Sequence, residues 1–138
     1  MKGIVLVSHG HLAEGMLDAV KMFAGEPEQI EALGFMPGQE MAEFALALKQ
    51  AVENVDTGDG VVVFCDLLFG SPCNCSGMLL RDPESLDRVQ VVTGVNLPMV
   101  IEYVTARGFG MDVETLIQTG RDGITDYNEL HRARMAKA

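Results

Sequence analysis

The chain has 138 residues, 48% apolar and 22% charged, which is the profile of one compact soluble domain and excludes a disordered or membrane-embedded chain. Its 20 acidic residues against 10 basic ones give a formal charge of −10, which opposes nucleic-acid binding because phosphate contacts draw their affinity from Lys and Arg. Its 3 cysteines set no disulfide framework, and the first apolar run is too short for a signal-peptide core or a membrane span, so a cytoplasmic single domain over residues 1–138 is expected.

That first run, Gly3 to Val7, is short and continuously apolar, as a strand buried on both faces must be. It leads into Ser8-His9-Gly10-His11. A helix follows His11 with Leu12, Met16, Leu17, Val20 and Phe23 as its apolar stripe, and it ends at Gly25. Gln29 to Gly34 forms a second strand. Met41, Phe44, Ala45, Leu48, Ala51 and Val55 then recur at a 3.6-residue period, which predicts a second helix. A third strand, Gly60 to Asp66, enters Leu67-Leu68-Phe69-Gly70-Ser71-Pro72, where Ser71 offers an N-cap hydroxyl and Pro72 suits the first helical position. Cys73 and Cys75 stand two apart on that helix, so they point in different directions and read as small buried side chains.

Arg88 to Thr93 is the fourth strand. Asn96-Leu97-Pro98 opens a helix that runs to Arg107 and stops at Gly108, and a further helix starts near Asp112 with Val113, Leu116 and Ile117 before Gly120. Past that point Gly120 and Gly123 interrupt any helix, and Ile124 to Tyr127 reads as a short extended piece. His131, beside Arg132 and Arg134, reads as a solvated tail residue. Strand and helix alternate, so the fold class is α/β, a mostly parallel open sheet with helices on both faces.

In such a sheet ligands bind beyond the carboxyl ends of the strands, where the strand order reverses. With the second strand on one side of the first and the third on the other, that point is flanked by the exits carrying His9 and Asp66. A neutral imidazole with an ordinary pKa of about 6.5 attacks a phosphoryl group through one nitrogen while the other holds a proton, and a carboxylate accepting that proton fixes the tautomer. His9 is the candidate nucleophile and Asp66 its partner. Gly70 and Ser71 would present backbone N–H groups and the positive end of a helix to the phosphoryl oxygens. A metal set of His9, His11 and Asp66 is the competing reading, but helix onset at His11 turns it away from His9, and no metal or cofactor is expected. Met36 and Met41 flank the second-strand loop, where flexible thioethers suit a partner surface, although core packing is the plainer role for Met41.

Taken together, Val7 to Met16, Phe35 to Gly38, Asp66 to Asn74 and Thr93 to Met99 resemble the IIA component of the mannose family of the bacterial phosphoenolpyruvate-dependent sugar phosphotransferase system. The resemblance runs from Lys2 to Gly123. It implies that His9 accepts a phosphoryl group from the phosphorylated carrier protein HPr and passes it to a IIB component, the membrane subunits IIC and IID being served indirectly. It also implies Asp66 as the carboxylate partner, Gly70 and Ser71 as the phosphoryl-binding loop, and a homodimer in which a C-terminal antiparallel strand, here Ile124 to Tyr127, is exchanged. Two alternatives keep the same site: a phosphotransfer subunit serving dihydroxyacetone kinase, and a regulatory phosphohistidine protein without onward transfer. The chain departs from the family at two places. Phe69-Gly70 stands where two glycines are frequent, and Leu67 stands where some members have a polar residue after the Asp. The transported sugar is not legible, since a IIA component handles only phosphohistidine.

Overall fold

A computed structural model describes residues 1–137. The sheet has four parallel strands, β1 (Gly3–His9), β2 (Ile30–Phe35), β3 (Val61–Cys65) and β4 (Val89–Val92), in the order β2-β1-β3-β4. Its helices among the described residues are α1 (Leu12–Ala24), α2 (Met41–Val55), α3 (Ser71–Leu79), α4 (Pro83–Arg88), α5 (Leu97–Ala106), α6 (Val113–Asp122) and α7 (Tyr127–Ala136).

Strand periodicity divides the core into two layers. Val5 and Val7 of β1 with Val61, Val63 and Cys65 of β3 face α2 and α3, where Phe44, Leu48, Ala51 and Cys75 are buried. Ile4 and Leu6 with Val62 and Phe64 face α1, α5 and α6, closing on Val20, Val100, Tyr103 and Leu116. Two edge-to-face aromatic pairs lock the layers, Phe35 on Phe44 at 5.3 Å and Phe64 on Tyr103 at 5.9 Å between ring centroids. The parallel sheet with helices on both faces is therefore as expected, and the three cysteines are buried free thiols. Burial pushes the Cys65 thiol up to about 12.

Several local expectations differ. Leu12 and Phe23 are exposed, and the buried face of α1 runs instead through Ala13 and Val20 with Met16, Leu17 and Ala24 packed beside them. Met41 is also exposed, so the buried face of α2 begins at Phe44. The hydroxyl of Ser71 does not cap α3, whose N-cap is Gly70. A short helix, α4, occupies Pro83 to Arg88, a segment whose sequence shows no apolar period.

The tail departs most. Gly120 is buried inside α6, where a Cβ would meet the Met99 Cε at 2.4 Å, so close packing on α5 carries the helix through a residue that usually ends one. Tyr127 opens a helix rather than continuing a strand, because the Asp126 carboxylate accepts from the N–H groups of Asn128 at 3.0 Å and Glu129 at 3.3 Å. No fifth strand is present among the described residues. No helix there is long and apolar enough to cross a membrane.

Candidate functional site

The sheet register brings His9 and Asp66 together. Val7 of β1 pairs with Cys65 of β3 at the ends of the two central strands, and the Asp66 N–H donates to the Val7 carbonyl at 3.2 Å. His9 lies two residues beyond Val7 and Asp66 one beyond Cys65. Strand order reverses between these strands, as the topological argument requires. The turn after His9 is made by Gly10 in the left-handed region at φ 58°, and its N–H donates to the Phe35 carbonyl of β2 at 2.8 Å. Ser8 fixes the start of α1: buried at the end of β1, its hydroxyl oxygen accepts from the Ala13 N–H at 2.7 Å. That cap comes from the strand, not from His11, which makes no capping bond.

One carboxylate oxygen holds His9 twice. Asp66 Oδ2 accepts from the His9 backbone N–H at 2.9 Å and lies 2.8 Å from the ring Nδ1. The Asp66 side chain is 11% exposed and the His9 side chain 46%, so the carboxylate supports the ring from beneath while the ring faces solvent. Burial pushes the Asp66 carboxyl up, but the His9 N–H, the hydrogen-bonded ring, its charge and the Leu67 N–H together outweigh it and hold the group below its ordinary 3.8. An ionised carboxylate only accepts hydrogen bonds, so Nδ1 carries the proton and Nε2 is the nitrogen left for chemistry.

Gly70 closes the other side of the ring. A Cβ placed on it would lie 2.6 Å from His9 Cε1 and 3.3 Å from Nε2, so only glycine lets the loop touch the imidazole. The loop itself is tight, with the Gly70 N–H donating to the Leu67 carbonyl at 3.1 Å. Gly70 also starts α3, whose first turn has no side-chain cap and has Pro72 in place of one N–H. The N–H groups and the dipole of this turn therefore begin beside Nε2, with Ser71 as the first helical residue.

Phe69 sits in the left-handed region at φ 64°, which for a bulky residue costs about 1–2 kcal/mol. This conformation explains why glycine pairs suit the loop, a constraint the departure at Phe69 signalled without revealing. The Asn74 amide holds the loop by donating to the Phe69 carbonyl at 3.2 Å. Of the candidate residues, His9, Asp66 and Gly70 come together and Ser71 follows on the helix. His11 does not join them; its ring lies 3.2 Å from the Glu14 carboxylate on the exposed face of α1. No group of three or more His, Cys, Asp or Glu side chains arranged to hold a metal is found among the described residues. His131 is exposed on α7.

Asp56, at the opposite end of the sheet, gives the molecule a second depressed carboxyl. Burial pushes it up, but the Gly58 and Gly60 N–H groups at 2.8 and 3.1 Å and the Arg88 guanidinium bring it below its ordinary 3.8. A depressed folded-state value means that the unfolded chain takes up protons first as the pH falls. The stability these two carboxylates contribute is complete above about pH 5 and is lost as the pH falls through 3.8 toward their folded values. Urea midpoints should therefore drop between pH 6 and pH 3, and Asp56→Asn and Asp66→Asn should each flatten that drop.

A half-exposed imidazole held by a carboxylate and set against a glycine loop at a helix N-terminus, on an α/β sheet, is an arrangement chemically suited to phosphoryl transfer. The family model described as EIIA-man, PTS system fructose IIA component, matches residues 3–119, and the chain belongs to this phosphotransferase-system IIA family. It is 32% identical over 125 residues to the mannose-specific EIIAB component of Escherichia coli, covering 88% of this chain and 38% of that one, so it spans well under half of that relative. It is 36% identical over 101 residues to the sorbose-specific EIIA component of Klebsiella pneumoniae, covering 72% of this chain and 70% of the relative. The structure resembles the PTS IIA protein associated with the fucose utilization operon of Streptococcus pneumoniae, with a TM-score of 0.86 at 30% identity over 94% of this chain and 95% of that one. It also resembles the component EIIA of Streptococcus agalactiae, with a TM-score of 0.81 at 30% identity over 94% and 99%.

Proposed function

We propose that the protein is a phosphoryl carrier: His9 accepts a phosphoryl group from phosphorylated HPr and passes it to a IIB component during sugar uptake, in the cytoplasm. The observation that carries this reading is the double hold of Asp66 Oδ2 on His9, which occupies Nδ1 and leaves Nε2 unbonded on a half-exposed ring. The Nε2 lone pair forms the new N–P bond as the donor's N–P bond breaks, and the donor imidazole leaves with that electron pair. The Nδ1 proton stays on the ring, bonded to Asp66, whose charge balances the positive charge that develops. The Ser71 N–H and the positive end of the α3 dipole, which begins at Gly70, bind the phosphoryl oxygens, while the Gly70 N–H stays on the Leu67 carbonyl and shapes the loop. Bond type is conserved on both sides, so the exchange runs close to equilibrium. Labelled phospho-HPr should transfer its phosphoryl group to the protein and take it back. The label should be lost in mild acid and kept in alkali, as a phosphoramidate on imidazole requires. An acid-stable label mapping to Ser71 would refute the assignment.

We further propose a homodimer built through the C-terminal segment. Two observations support it. The helix α7 has no buried residue, and Tyr127 and Met135 on it and Ile124 before it are exposed, so this segment has no core of its own. Ile124 also lines a groove with Val91 and Val92 of the edge strand β4, where a second chain could pair. Light scattering should give twice 14.9 kDa for the full chain and a monomer mass after removal of the residues following Gly123. A full chain at 14.9 kDa across micromolar concentrations would contradict it.

A further inference from the structure

The loop between Asp66 and Gly70 presents three apolar side chains to solvent, Leu67 at 58%, Leu68 at 55% and Phe69 at 78% exposure. Phe69 combines this exposure with a left-handed backbone that a bulky residue adopts only at an energetic cost. Inside its own chain the ring gains nothing for that cost. The residue after it touches the His9 imidazole, so the exposed ring stands one residue from the reacting nitrogen. Leu12, 53% exposed and three residues after His9, adds apolar surface at the start of α1.

The nucleophile is half-exposed, so a donor must bring its own surface over His9. A small polyanionic donor is disfavoured by the chain's charge of −10, whereas a protein with an apolar collar round its phosphohistidine and a basic rim is complementary to this face. We propose that Phe69 is the docking anchor for the histidine-phosphorylated carrier protein that exchanges its phosphoryl group with His9. This rests on the carrier reading above. The ring fills an apolar recess of the partner, and the left-handed backbone aims it there, as aromatic anchors do at the centre of desolvated interfaces.

The test compares two phosphoryl donors on Phe69→Gly and Phe69→Asn, residues that both tolerate the left-handed backbone. With phospho-HPr as donor, the second-order transfer rate should fall about 10–100-fold through a raised KM, with kcat at saturation retained. With phosphoramidate, a small donor that needs no docking surface, the rate of His9 labelling should match wild type. Phe23→Asn, an exposed phenylalanine far along α1, should leave both rates unchanged. An unchanged HPr rate in the Phe69 variants would overturn the proposal. So would an equal loss with both donors, because Phe69 would then shape the loop and not the encounter. If wild-type protein takes label from phosphoramidate but none from phospho-HPr, the carrier reading itself fails, and the anchor with it.

Discussion

His9→Ala should abolish acceptance of label from phospho-HPr while leaving the fold intact. The chain has 3 histidines, and the other two cannot substitute. His11 is turned toward Glu14, and His131 lies exposed on α7. The variant loses the 2.8 Å contact from the ring to Asp66 but keeps the 2.9 Å bond from the backbone N–H, so the carboxylate is not left without a donor. The side chain is half-exposed at the last position of β1, and its removal opens no core cavity; the stability cost should be about 1 kcal/mol. His11→Ala should transfer at the wild-type rate. Asp66→Asn should fall between the two, slowing transfer by about 10²-fold, because an amide can position a ring but cannot balance the charge that develops on it. Label retained on His9→Ala at the wild-type level would remove His9 as the acceptor.

The sheet was legible because its strands are buried on both faces and so read as unbroken apolar runs, such as Ile4 to Val7 and Val61 to Cys65. The switch point at His9 and Asp66 rests on the condition that the second and third strands flank the first, and the order β2-β1-β3-β4 meets it. Helix faces were less legible at their ends. Leu12, Phe23 and Met41 fit the apolar period of α1 and α2 but are exposed, because the buried faces run through Ala13, Val20 and Ala24 and through Phe44, Leu48 and Ala51, and periodicity does not fix how far such a face extends. The tail failed for a different reason. Gly120 reads as a helix stop on intrinsic propensity, whereas in the fold it is buried in α6 against Met99 of α5, a contact that propensity does not encode.

At the site, residue types and spacing identified His9, Asp66 and Gly70, but not what each atom does. That one Asp66 oxygen takes both the ring and the backbone of His9 depends on His9 and Asp66 standing one residue out of step across β1 and β3, a feature of register that composition does not encode. Ser8 is not legible in the sequence, because a buried serine at the end of an apolar run carries no signature. Its role as the cap of α1 appears only when the chain turns back at Gly10 and brings the Ala13 N–H to it.

Gly70→Ala should separate the geometry of the site from the stability of the fold. Gly70 has an extended backbone, φ −73° and ψ 168°, which alanine adopts without strain, so the substitution asks nothing of the main chain. The added methyl would lie 2.6 Å from His9 Cε1, and the ring is the neighbour free to give way, since the Leu67 carbonyl is at an ordinary 3.4 Å. The imidazole then swings toward solvent, away from Asp66 Oδ2. That movement loosens the tautomer and draws Nε2 off the N-terminus of α3. A displacement of about 1 Å from a reactive arrangement costs about 10²-fold in rate, and transfer from phospho-HPr and from phosphoramidate should fall alike by that factor. The parallel loss distinguishes this variant from those at Phe69, where the small donor is spared. Gly77→Ala is the matched control, a helical glycine in α3 with nothing within 4 Å of the added Cβ. It should raise stability by up to about 1 kcal/mol and leave both rates unchanged. Wild-type rates in Gly70→Ala would mean that the loop does not hold the ring in its reacting position.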